Sequence, residues 1–204
     1  MYRLLCLPLL LALSLNALAE ASLNYGLTTR YIQRGIYQTG DDLVLTGGAD
    51  VDKWGFYAGA WAYHGNFENN NYFGYDLYGG YRFNIGGLSL GAGYISYNHD
   101  DNRDADSEYT ASASYSSYRI TGYWDEADQY RYYEAAANYQ FWEKSGFVFT
   151  AGHLDDNATG GQVWDYSAAF VAAMPSNVDI ELKVTRQDNL LNLFTLGISR
   201  KLDF

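Results

Sequence analysis

The chain offers few groups able to do acid–base chemistry near neutral pH. Its three histidines are His64, His99 and His153, and imidazole is the side chain whose ordinary pKa lies in that range. A lipid hydrolase would need such a base beside a serine or an activated water. All three lie where apolar stretches give way to polar ones, as at the rim of a barrel, but none accompanies a serine in a recognisable nucleophile motif. Solvent-exposed rim histidines are the simpler reading, and the expectation is a protein that is not an enzyme. A second constellation runs His99-Asp100-Asp101-Asn102-Arg103-Asp104-Ala105-Asp106. Asp100, Asn102, Asp104 and Asp106 alternate as oxygen ligands of a calcium ion do. The turn glycine of such a loop is missing, and Ala111 stands where a closing Glu belongs. A solvated acidic loop facing divalent-bridged lipopolysaccharide is therefore expected, with no metal and no cofactor.

A third set of charges is spread along the chain: Arg30, Asp50, Asp76, Arg82, Glu108, Arg119, Glu134, Asp165, Asp179, Glu181 and Lys183. Most have apolar residues on both sides. In an extended chain successive side chains point to opposite faces, so such a pattern puts charge on one face and hydrocarbon on the other. These residues are the expected lining of a water-filled lumen. A twelve-stranded barrel leaves a bore of roughly 10 Å or less once inward side chains are counted. The acidic excess would favour cations. The competing expectation is that the charges pair across the lumen, fill it and brace the wall.

The elements that must position them are strands. In Leu193 to Phe204 the alternate residues Phe194, Leu196, Ile198, Leu202 and Phe204 are apolar, with Arg200 the exception, and Thr195, Gly197, Ser199, Lys201 and Asp203 lie between them. Twelve such stretches can be laid out from Ser22 onward. The first is 22–32 and the second 43–51. The third, 55–63, is ambiguous, because Phe56-Ala58-Ala60 and Tyr57-Trp61-Tyr63 are both apolar. The cleanest is Val178-Ile180-Leu182-Val184 against Asp179-Glu181-Lys183-Thr185. Tight connections follow the even-numbered stretches, and most of the longer polar ones follow the odd. Short turns at one rim and long loops at the other describe an all-β, transmembrane antiparallel β-barrel of twelve strands, with the short side periplasmic.

Composition agrees. The chain has 21 Tyr, 21 Gly and 5 Trp but only 2 Pro, which suits aromatic girdles and twisted strands. No stretch after the leader approaches 18 consecutive apolar residues, which excludes helical spans. The net charge of −11 excludes nucleic acid as a partner, since phosphate binding needs a basic surface. Met1-Tyr2-Arg3, the apolar run Leu4 to Leu15 and Ala17-Leu18-Ala19 read as a signal peptide, residues 1–19, cleaved to leave 20–204 as the barrel. Cys6, the one cysteine, would leave with it, which removes disulfide and thiol chemistry.

The segment Thr29-Arg30-Tyr31-Ile32-Gln33-Arg34-Gly35-Ile36-Tyr37-Gln38-Thr39 resembles the amino-terminal signature of the TorF-type porin family of bacterial outer-membrane proteins. In that family an aromatic residue, a short spacer, Arg-Gly-Ile and Gln-Thr sit at the first hairpin. Gly47-Gly48, Gly55 to Trp61, Asp76 to Tyr81 and Asp165-Tyr166 extend the likeness, which is strongest over 28–81. Thr29-Arg30 and Tyr37 depart from the pattern, where Ser-Asp and Ser are usual. The resemblance implies an outer-membrane location and a channel role, and brings no substrate or catalytic residue. The terminal aromatic pattern ending at Phe204 resembles the address read by the barrel-assembly machinery. Lipid, lipopolysaccharide and small solutes complete the expected partners, in the outer membrane of a Gram-negative bacterium. The expected function is passive diffusion of small, cationic or neutral solutes. A closed structural or adhesive barrel is the alternative, and a barrel lipid hydrolase comes third.

Overall fold

A computed structural model describes residues 20–38, 42–67, 70–99, 106–142, 145–188 and 192–204. The expected signal peptide, positions 100–105 of the acidic loop and the turn residues Glu143 and Lys144 lie outside the described residues. Fourteen strands form among those described: β1 (Glu20–Thr28), β2 (Ile32–Gln33), β3 (Ile36–Tyr37), β4 (Val44–Lys53), β5 (Phe56–Phe67), β6 (Asn70–Ile85), β7 (Leu88–His99), β8 (Asp106–Tyr115), β9 (Tyr118–Asp125), β10 (Tyr130–Trp142), β11 (Ser145–Asp156), β12 (Gly161–Met174), β13 (Val178–Gln187) and β14 (Leu193–Asp203). All but β2 and β3 pair antiparallel with their chain neighbours, and β1 closes the circle by pairing with both β4 and β14. Closure gives each of the described wall strands a partner on both sides, the condition for crossing hydrocarbon.

Alternation decides which face is which. Leu23, Tyr25 and Leu27 of β1, Leu77 and Phe83 of β6, and Phe194, Leu196 and Ile198 of β14 are exposed on the outside. Their neighbours Asp76, Glu108, Asp165, Thr185 and Thr195 are buried inside. A soluble barrel has the opposite polarity, so the exposed belt is the surface a membrane covers. Trp54, Phe56, Tyr115, Tyr118 and Trp142 crowd the short-turn end as an aromatic girdle. The ambiguous third stretch is β5, and its two apolar phases divide. Phe56 is exposed outside, while Tyr63 is buried within.

Two-residue turns and a three-residue 3-10 turn, Pro175–Asn177, lie at the short-turn rim. Trp54-Gly55 and Gly86-Gly87 have positive φ at both positions, the geometry of type I′ hairpins, whose twist matches that of the strands they join. At the opposite rim the first strand ends sooner than expected, at Thr28 rather than 32. Thr29 N–H donates to the Leu196 carbonyl (3.0 Å), and the Thr29 hydroxyl accepts from Leu196 N–H (3.1 Å). These bonds hold the chain at β14 while it turns inward. Arg200, the exception in the terminal apolar face, reaches the short-turn rim, where its Nε donates to the Ser176 carbonyl at 3.1 Å. A long cationic side chain can place its head in the interface in this way.

Candidate functional site

Residues 31–38, between β1 and β4, form a finger inside the barrel. Ile32 pairs with Tyr37 and Gln33 with Ile36, and Gln38 N–H donates to the Tyr31 carbonyl at 2.9 Å. Arg34 and Gly35 make the turn at φ 52° and 74°, again type I′. The left-handed conformation is disfavoured for arginine and open to glycine. A Cβ on Gly35 would also lie 2.5 Å from the Cβ of Asp165 on β12, so only glycine fits where the tip meets the wall. The base of the finger is held by an aromatic cluster. The Tyr31 ring lies 4.3 Å from that of Tyr63, which lies 5.8 Å from Tyr72, and buried Val44 packs among them.

The tip carries Arg34 to the far wall. Its Nη1 donates to Glu108 Oε1, and its Nη2 donates to Glu108 Oε2 (2.6 Å) and to the Tyr97 hydroxyl (2.8 Å). The guanidinium carbon lies over Tyr123, 3.9 Å from the ring centroid, with Tyr132 at 5.2 Å. Glu108 is fully buried and Arg34 is 14% exposed. The Tyr97 and Tyr130 hydroxyls each donate to the Glu108 carboxylate at 2.7 Å. The Tyr132 hydroxyl donates to Asp165 at 3.0 Å. A guanidinium is not deprotonated in proteins, so the tip carries a permanent positive charge.

The lumen holds two chambers, and the finger walls one of them. On the long-loop side is a chamber of about 360 Å³, lined by Gln33, Gln38, His99, Gln129, Tyr130 and Asp156 among others. On the short-turn side a second chamber of about 640 Å³ is lined by Asp50, Asp52, Tyr57, Tyr78, Arg82 and Lys201 among others.

The expected lining residues distribute around this finger. Asp76, Glu108 and Asp165 surround its tip or stem and are buried. Asp50 accepts from the Tyr78 hydroxyl (2.5 Å) and from Asn24 (3.4 Å). Arg82 faces Asp52, and Arg119 faces Glu134, each at 3.4 Å. Asp179, Glu181 and Lys183 share the inward face of β13, out of phase with exposed Leu182. Arg30 is not on a strand. It sits past the end of β1 and donates to the Phe194 carbonyl at 2.7 Å, because the chain has already left the wall there.

The histidines do not converge. His64 is exposed on β5, in phase with the outward Phe56. His153 packs against Trp164, with ring centroids 4.4 Å apart, while Nδ1 of His99 lies 2.5 Å from the Tyr72 hydroxyl. A Gly-x-Ser-x-Gly string does occur, at Gly87 to Gly91. However, its Ser89 lies within β7, opposite Asn84 and Ser114, and not on the strand-to-helix elbow that makes such a serine a nucleophile.

The model of a family described as bacterial proteins of unknown function, Gcw_chp, matches residues 16–168. The chain belongs to the Gcw_chp family. No curated protein matches its sequence. Among solved structures, this Gcw_chp chain is similar to the KdgM porin, at 10% identity and a TM-score of 0.60, over 88% of this chain and 98% of that one. It is also similar to that porin in complex with disordered oligogalacturonate, at 8% identity and a TM-score of 0.59, over 89% and 98% of the two chains. A third likeness is to an outer-membrane channel from Pseudomonas putida F1, at 10% identity and a TM-score of 0.57, over 91% and 95%. At such identities the likeness is one of fold. With the closed wall and apolar belt, it makes the Gcw_chp chain an outer-membrane β-barrel of the Gram-negative type.

Sequence reasoning passed over Arg34, Gly35, Tyr97, Tyr123, Tyr130 and Tyr132 as site residues. One local signal was present. Arg-Gly between Ile32-Gln33 and Ile36-Tyr37 is a two-residue hairpin turn flanked by strand formers. Nothing local says that the hairpin turns into the lumen.

Proposed function

We propose that this Gcw_chp protein is a porin-like channel for small cationic and neutral solutes, narrowed towards its long-loop rim by the Arg34 finger. The single observation that carries the reading is the pair of chambers in the lumen, one walled by the finger on the long-loop side and one at the short-turn rim. The lining proposed for the path is Asp50, Asp76, Arg82, Glu108, Arg119, Glu134, Asp165, Asp179, Glu181 and Lys183, with Arg30 at its mouth. Carboxylates outnumber cations in that set, and a ring of like charge selects counter-ions. The same excess argues against a polyanion such as the oligogalacturonate held by the KdgM porin. The finer resemblance to TorF-type porins rests on the Arg34-Gly35-Ile36 and Gln38-Thr39 signature and fits this reading. Lipopolysaccharide around the belt and the assembly machinery at Phe204 are the partners it implies.

The test is single-channel recording in planar bilayers under a potassium chloride gradient. Stepwise current with a cation-selective reversal potential is expected. A baseline free of steps would sink the channel. It would favour the second reading, a closed barrel of structural or adhesive duty, which a finger packed across the bore also supports.

A further inference from the structure

Arg34 occupies a cage that suits one class of ion. Two parallel N–H groups meet the two oxygens of Glu108, the fork geometry that a guanidinium forms and an ammonium does not. The guanidinium carbon lies over the Tyr123 ring at 3.9 Å, and Tyr132 flanks it at 5.2 Å. Aromatic faces with one carboxylate are how proteins recognise bulky organic cations. Tyr97 and Tyr130 donate to Glu108 and hold the carboxylate in place. The wall supplies every one of these groups, from β7, β8, β9 and β10, and the finger supplies only the cation. Arg34, Tyr97, Tyr130 and Tyr132 also line the outer chamber, so the cage opens on the long-loop side. The finger that fills it is slight, two short strands joined by a turn with arginine at positive φ.

We infer that this cage is a binding site for guanidinium-bearing organic cations, and that Arg34 is its tethered occupant. A free solute carrying that group competes with Arg34, releases the tip and widens the lumen. The binding site stands on the geometry alone, while the widening rests on the channel reading above. A tethered group competes at high effective concentration, so free solute binds the unaltered protein weakly.

The test uses purified barrel in detergent, with methylguanidinium as the probe and sodium and tetramethylammonium as controls. Arg34→Gly empties the cage and keeps the positive φ without strain, and heat-modifiable gel migration checks that the barrel is folded. If that variant fails the check, Arg34→Gln takes its place. By calorimetry, the emptied barrel is expected to bind methylguanidinium about tenfold or more tighter than the unaltered protein. The controls should bind far less, and adding Glu108→Gln should abolish the gain. Equal affinity in unaltered and emptied barrels, equal binding of sodium, or a gain that survives Glu108→Gln would overturn the assignment. In bilayers, methylguanidinium on the long-loop side should raise the current of the unaltered protein and leave that of the emptied one unchanged. Tight binding without current in any variant would refute the channel and keep the cage. Current without the binding gain would do the reverse.

Discussion

Arg34 and Glu108 stand 74 positions apart in the chain and meet at the wall facing the finger. Removing one partner of a buried ion pair leaves the other desolvated and unpaired, at a cost of about 3–5 kcal/mol. Here the finger can leave while the wall stays paired. Glu108→Ala is therefore expected to undock the finger and spare the barrel. The measurement is limited proteolysis, with faster cleavage within residues 29–43 and unchanged heat-modifiable migration. Gly35→Ala should act in the same direction. It adds a Cβ at φ 74°, 2.5 Å from that of Asp165, and left-handed backbone alone costs about 1–2 kcal/mol for a residue with a Cβ. Docking weakened by about tenfold or more would follow, read as the same increase in cleavage. These tip residues were visible in the sequence as a turn. Their partners were not, because Tyr97, Tyr123 and Tyr132 lie on the polar face of strands whose tyrosines otherwise read as membrane belt.

The finger is the element that distinguishes this barrel from an open cylinder. Replacing residues 31–38 with a short polar linker should roughly double the single-channel current or more, since the narrowest section limits flow. Its docking also depends on the wall behind it. Tyr132 is buried and reaches Asp165, and its ring lies over Gly152 of the next strand, where a Cβ would clash with the Tyr132 hydroxyl. Gly152→Val should push Tyr132 aside and loosen the tip without changing any residue of the finger, detectable by the same cleavage assay. At this scale most of the architecture was legible. The twelve stretches became the twelve wall strands, and the tight connections after the even-numbered stretches fell at one rim. The end of β1 was not legible. Its alternation runs on to Ile32, but hydrogen bonds from Thr29 and Arg30 to β14 turn the chain inward first.

For the whole molecule the charge balance of the lumen is the quantity to measure. Glu134→Gln with Asp165→Asn removes two negative charges from the inward face. The reversal potential in a salt gradient should move towards zero, because fewer fixed carboxylates hold fewer counter-ions. Arg119 faces Glu134 at 3.4 Å with both side chains partly exposed, a pair of little structural weight. The Glu134 half of the double variant should therefore leave thermal stability within about 0.5 kcal/mol.

Alternation along the chain was enough to establish a membrane barrel and to assign most of its charges to the inside. A shift of one residue in any strand would exchange its two faces and put carboxylates into hydrocarbon. That constraint is local, so a single strand's residues express it. What occupies the inside was decided only by the folded wall. The Arg34 cage gathers side chains from β7, β8, β9 and β10 around a turn from the first loop. Closing the barrel brings those strands opposite the paired β1 and β4 that carry the finger, a proximity that no spacing along the chain encodes.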